Sequence, residues 1–165
     1  MKGIIEHQDW VELDRGSIAL EQAIKRATLR TGLSRQDVEN LFHAVPRHLT
    51  PIEDTIALIR EVKHANNRLY VLSNMQFASI AYLEKEYDIW DLFDGAVISC
   101  RVKKVKPEIG IYEYLLNAYR LTATETIFID DVAENLEAAS SMGINTIRFV
   151  NSSQCRQALL DSDCI

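Results

Sequence analysis

Thr126-Ile127-Phe128-Ile129-Asp130-Asp131 is the stretch on which the fold of this chain turns. Four residues rich in β-branched and aromatic side chains read as a short, buried strand. Two adjacent carboxylates follow with no base beside them. Val132, Leu136, Ala139 and Met142 then recur at helical spacing, and Gly143 is a natural stop. The acid pair therefore stands at the carboxyl end of a strand, where a helix begins. In an open parallel sheet that edge is where ligands bind. Two like charges at about 4 Å repel by roughly 4 kcal/mol at an effective dielectric of about 20. A hard cation with oxygen ligands, magnesium above all, is the usual remedy. A single Asp here would read as a helix cap; two straight after a buried strand favour a metal.

Outward from this stretch, strand and helix alternate. Asn145 to Val150 reads as a last strand, with a short helix from about Gln154 to Leu160 after it. Upstream, Leu69-Tyr70-Val71-Leu72 is a strand, a helix runs roughly from Phe77 to Tyr87, and Gly95-Ala96-Val97-Ile98 is a further strand-like run. Lys103-Lys104-Val105-Lys106-Pro107 is a basic loop before a helix that turns Ile111, Leu115 and Ala118 inward. The pattern predicts an α/β fold, a Rossmann-like parallel sheet with helices on both faces, its strands at 69–72 and 126–129 both central.

The first third is mostly helical. Ser17 is expected to cap one helix. Ser34 opens another, with Asp37 in place of the capping-box Glu. Thr50-Pro51-Ile52-Glu53 has the form of a capping box with Pro at the first helical position. Lys2 to Ile5 is expected to form one short strand.

The chain has 165 residues, enough for one domain or one domain with a small insertion. Apolar residues make up 47% and charged residues 25%, so a real core is expected. The net charge of −6 argues against a nucleic-acid partner. No apolar run is long enough to span a membrane, and Met1 to His7 is too soon charged for a signal peptide. Cys100, Cys155 and Cys164 match no zinc spacing and fit a reducing cytoplasm, the expected location.

Chemistry-bearing residues gather at three strand ends. Ser73 offers a hydroxyl and, with Asn74, backbone donors to an anion, though both are ordinary turn residues. Lys106 is a suitable point charge for phosphate or carboxylate, though most lysines are solvated. Asp130 and Asp131 supply the metal side. In that order on successive strands they describe a site for a phosphoryl group held between magnesium and lysine.

These segments resemble the haloacid dehalogenase (HAD) superfamily. Leu69 to Asn74 looks like its second motif, Val105 to Tyr112 like its third, and Phe128 to Asn135 like the double-Asp form of its fourth. The likeness covers residues 50 to 150, and its nearest aspect is the small-phosphatase subgroup with a helical cap. It implies a cap over 8–50 and an α/β core from 1–7 and 51–165. It further implies that Ser73 and Lys106 are catalytic, that Ser73, Asn74 and Lys106 bind phosphate, that Asp131 ligates magnesium with Asp130 in support, and that Asn135 steadies the loop.

One part of that pattern is missing. The family's first strand ends in the nucleophilic Asp, and no such motif precedes the cap here; Glu6-His7-Gln8-Asp9 does not match it. A truncated gene, a fragment or a degenerate homologue would look like this. The first core strand is then absent or replaced by residues 2–5, and unpaired strand edges favour a homodimer. The expected function is a magnesium-dependent phosphatase for a small phosphorylated metabolite, poorly active and with magnesium weakly bound or absent. The alternative is a non-catalytic remnant that binds a ligand or partner. A dehalogenase ranks third, because that chemistry leaves the acid pair unexplained.

Overall fold

The computed structural model describes residues 2–165, and for residue 2 the backbone only. The order is helical first and alternating afterwards. Helices α1 (Lys2–Ile5), α2 (Gln8–Arg15), α3 (Leu20–Thr31), α4 (Arg35–Ala44) and α5 (Glu53–His64) precede strand β1 (Tyr70–Ser73). Then come α6 (Phe77–Glu86), β2 (Gly95–Ile98), α7 (Ser99–Val102), α8 (Ile109–Tyr119), β3 (Ile127–Asp130), α9 (Ala133–Ser140), β4 (Asn145–Arg148) and α10 (Ser152–Asp161). This is the α/β class expected. Among the described residues no helix is long and apolar enough to cross a membrane.

Two compact units divide the chain. The first takes in the residues up to Thr50 with Leu72–Asp88 and Ile98–Val105. Its helical core packs Ile4, Leu13, Ala23, Ile24, Ala27, Val38 and Phe42, with Trp10 stacked on Phe42 at 5.5 Å. Asp9 is buried among these helices, bonded by Arg26 at 2.9 Å and Arg30 at 2.7 Å. Burial alone would raise its carboxyl pKa, but the two guanidinium groups and His7 hold it below the ordinary value.

The second unit takes in Pro51–Val71, Ile89–Val97 and Lys106–Ile165. Leu58, Val62, Cys155 and Leu159 form its core, with Leu69, Ile127, Ile147 and Phe149 packed around them. Strands β3 and β4 run parallel, with Ile127 opposite Asn145 and Asp130 opposite Arg148. The Gly143 stop holds: its φ is +80°, a left-handed conformation that glycine adopts without steric cost.

Three local expectations are corrected. Lys2–Ile5 is a helix rather than a strand. Ile4 is buried in the helical cluster, and Arg30 Nε donates to the Gly3 carbonyl at 2.9 Å, so this segment is held by helices and replaces no core strand. Ser17 does not cap α3; its hydroxyl turns back to Glu12 and Ala19 takes the cap position. Thr50 does not cap α5 either, which starts two residues later behind Ile52. Ser34 does cap α4, accepting from the Asp37 amide.

The sheet also differs from the expected continuous one. Among the described residues β1 pairs with β2 and β3 pairs with β4, as two sheets of two strands. Each of the two strands expected to be central therefore has a strand partner on one side only. Every residue of β1 is half-buried, and in β3 Phe128 and Asp130 are buried while Ile129, on the opposite face, is 39% exposed.

Candidate active site

In the second unit, β3 delivers Asp130 to its carboxyl end with its side chain buried. Lys106 reaches it from the loop ahead of α8, placing Nζ 2.6 Å from Asp130 Oδ2. The other carboxylate oxygen accepts the Val132 backbone N–H at 2.9 Å and the Asn135 side-chain amide at 3.0 Å. Burial works to raise the Asp130 pKa, but Lys106, Val132 and Asn135 outweigh it and keep the carboxyl below its ordinary range. Asp130 is therefore an ionised anchor with donors on both oxygens.

A buried aromatic pair backs this anchor. Tyr112 from α8 meets the Phe128 ring edge-on at 5.5 Å and donates its hydroxyl to the Asn135 carbonyl at 2.9 Å. Lys106 Nζ lies 5.5 Å from the Phe128 ring centroid, a cation–π distance. Burial drives the Tyr112 phenol well above its ordinary pKa, with the nearby Asp130 charge adding to the effect, so the hydroxyl stays a donor. Asn135, one helical turn beyond the acid pair, thus joins Asp130 through its side-chain amide and Tyr112 through its carbonyl.

Asp131, the next residue, is exposed. The two acids thus take different situations: Asp130 is tied into the protein and Asp131 faces outward. Among the described residues no three His, Cys, Asp or Glu side chains converge as a metal cage. The donors at hand are two adjacent carboxylates. They fit magnesium, which keeps several waters and is commonly held by one or two carboxylates together with substrate phosphate.

Ser73 and Asn74 belong to the first unit, at the carboxyl end of β1. The segment after them is anchored by Ser99, whose buried hydroxyl accepts the Met75 N–H at 2.8 Å and donates to the Asp14 carbonyl at 2.5 Å. Asp14 and Ser99 were not among the expected site residues; a lone serine after a strand and a lone acid at a helix end carry no distinctive sequence signal. Burial pushes the Asp14 carboxyl up to about 6, with the Gln76 backbone N–H and Trp10 pulling the other way. Lys106, Asp130 and Asn135 are thus brought together, and Asp131 is the next residue after Asp130; Ser73 and Asn74 belong to the other unit.

Comparison with known proteins bears on the family and the fold. Residues 16–149 match the haloacid dehalogenase-like hydrolase family. A sesquiterpene phosphatase of Aspergillus oryzae is 29% identical over 149 residues, 90% of this chain and 76% of that protein. The chain spans at most 30% of the next three relatives, which are longer proteins. A HAD-like hydrolase of Porphyromonas gingivalis superposes with a TM-score of 0.77 at 22% identity, covering 96% of this chain and 82% of that one. A HAD enzyme of Bacteroides thetaiotaomicron, solved with magnesium and inorganic phosphate, gives 0.70 at 21% identity, covering 85% and 73%.

Proposed function

The chain belongs to the haloacid dehalogenase-like hydrolases, and on that premise we propose that it is a magnesium-dependent phosphatase for a small phosphate ester, turning over poorly as the chain stands. The observation that carries this reading is the buried Lys106–Asp130 pair with exposed Asp131 beside it, at the end of a parallel strand. Lys106 holds its ammonium against Asp130, a point charge of the kind that suits phosphate. Asp131, with Asp130 behind it, is the residue that would hold magnesium, which when bound neutralises charge on a transferring phosphoryl group. Ser73 and Asn74, in the first unit, are proposed as neutral donors to a phosphoryl group on their likeness to the family's second motif alone. The sesquiterpene phosphatase likeness and the magnesium–phosphate complex of a fold neighbour support phosphoryl chemistry.

Weak turnover is inferred from how the carboxylates nearest the expected nucleophile position are engaged. Covalent phosphoryl transfer needs an in-line nucleophile. Asp130 is bonded on both oxygens. Asp9 is held by two arginines. Glu6 follows a helix rather than a sheet strand. The same facts favour the second reading, a non-catalytic binder of phosphorylated ligands. Assay of p-nitrophenyl phosphate with magnesium tests the proposal, for the chain, for Asp131→Asn and for Glu6→Gln with Asp9→Asn. Very low turnover in all three is expected, together with magnesium-dependent phosphate binding that Asp131→Asn weakens. Substantial turnover abolished by either variant overturns the weak-activity claim; absence of phosphate binding overturns the phosphatase reading.

A further inference from the structure

We propose that Ser99 and Asp14 are positioning residues that hold the Ser73–Asn74 loop in the shape a phosphoryl group requires. This rests on the phosphatase reading, since the loop's proposed ligand comes from it. The geometry lies wholly within the first unit. Ser99 is fully buried at the start of α7. Its hydroxyl accepts from the Met75 amide at 2.8 Å and donates to the Asp14 carbonyl at 2.5 Å, so its one proton and one lone pair are both committed in opposite directions. The Asp14 carboxylate accepts the next amide along, that of Gln76, and the Trp10 side chain. Gln76 is itself buried and stands directly before α6, with no side-chain bond to the helix.

Two consecutive amides, directly after Ser73 and Asn74, are therefore tied to the same residue of α2. One tie runs through Ser99 to its carbonyl; the other ends on its carboxylate. The residue two positions on reinforces the contact. Gly16 sits against the Cys100 carbonyl, and Lys103 Nζ donates to the Gly16 carbonyl while lying 5.1 Å over the Phe77 ring. Of the titratable groups on the elements packed here, Cys100 of α7 feels the Asp14 charge, Lys103 at the end of α7 is bonded to the Gly16 carbonyl, and Glu12 on α2 is bonded to Ser17. The 74–77 segment contributes none. Burial places the charge change of the Asp14 carboxyl near 6, so the second tie changes character within an ordinary pH range.

The test uses the full chain and sulfate, a tetrahedral dianion whose charge is constant from pH 5 to 8. Amide exchange and amide chemical shifts are followed by NMR for the unmutated chain and for Ser99→Ala, Ser99→Thr, Asp14→Ala and Asp14→Asn. Ser99→Ala is expected to speed exchange at Met75 at least tenfold and to weaken sulfate binding at least threefold, and Ser99→Thr to restore both. Asp14→Ala is expected to release the Gln76 amide and Asp14→Asn to retain it. In the unmutated chain the Gln76 amide shift and the sulfate affinity should both inflect near pH 6, and Asp14→Asn should remove both inflections. A merely structural role would not produce the paired inflections. Unchanged Met75 exchange or unchanged sulfate affinity in a folded Ser99→Ala chain overturns the proposal. Should Ser99→Ala not fold, inflections that persist in Asp14→Asn overturn it independently. Failure of the unmutated chain to bind sulfate overturns the phosphate reading and the positioning role with it; normal binding with unaltered amides overturns the positioning role alone.

Discussion

Lys106 Nζ and Asp130 Oδ2 lie 2.6 Å apart, with side chains 11% and 5% exposed, and the two residues are 24 positions apart in sequence. A pair this well shielded behaves asymmetrically: removing one partner strands the other, whereas removing both leaves little behind. We expect Lys106→Met and Asp130→Asn each to destabilise the chain by about 3 kcal/mol. The double variant should be less destabilised than the sum of the singles, by about 1–3 kcal/mol. Urea unfolding of the four proteins measures this. Additive singles would show that the pair is uncoupled.

The same pair predicts an acid response. The folded-state pKa of Asp130 lies below its ordinary value. Its contribution to stability is therefore complete above the ordinary value of about 3.9 and is lost as pH falls through the folded-state value. Unfolding midpoints of the unmutated chain should drop below about pH 4 more steeply than those of Asp130→Asn. Parallel curves would contradict it.

Asp14 predicts the opposite slope. Its carboxyl is raised from 3.8 to about 6. Stability from this group is full below the ordinary value, falls as pH rises between the two, and stays reduced above about 6. The penalty at neutral pH is at most on the order of 3 kcal/mol. Asp14→Asn should therefore raise the thermal midpoint at pH 7.5 and leave it nearly unchanged at pH 3.5. A variant that gains at both, or at neither, would refute the assignment.

Gly16 and Gly32 form an internal comparison. Both have φ of +70°, but a Cβ at Gly16 would meet the Cys100 carbonyl and Lys103 Nζ at 2.7 Å, whereas nothing lies within 4 Å at Gly32. Gly32→Ala should cost about 1–2 kcal/mol, the left-handed penalty alone. Gly16→Ala should cost about 1–3 kcal/mol more, because backbone as well as side chain must give way. Equal losses by chemical denaturation would show that the Gly16 contact is soft.

Much of this was legible in the chain. Thr126 to Asp131 gave a strand ending in acids, found as Ile127–Asp130, and the helix after it stops before Gly143 as expected. Local chemistry suffices there: a β-branched run, a helical period and a glycine. Lys2–Ile5 was misread because four residues hold too little periodicity to separate strand from helix, and burial of Ile4 among distant helices decides the matter. The ties of Asp130 to Lys106 and of Ser99 to Asp14 join residues 24 and 85 positions apart, which no window along the sequence contains. The inequality of the two acids is likewise tertiary: adjacent residues of one type are separated by what packs against each.

The one-sided pairing of β3 has a consequence for how this protein behaves in the tube. Asn145 donates to the Thr126 carbonyl and Phe149 to the Asp130 carbonyl, so alternate residues of β3 face β4, and Ile127 and Ile129 turn their backbone groups to the other edge. Such an edge is a template that recruits further strands, and its occupancy rises with the number of molecules present. A preparation is then expected to turn turbid sooner as protein concentration rises. A lysine replacing the half-exposed Ile129 would put a charge on that strand and lengthen the time before turbidity, at the same protein concentration and temperature.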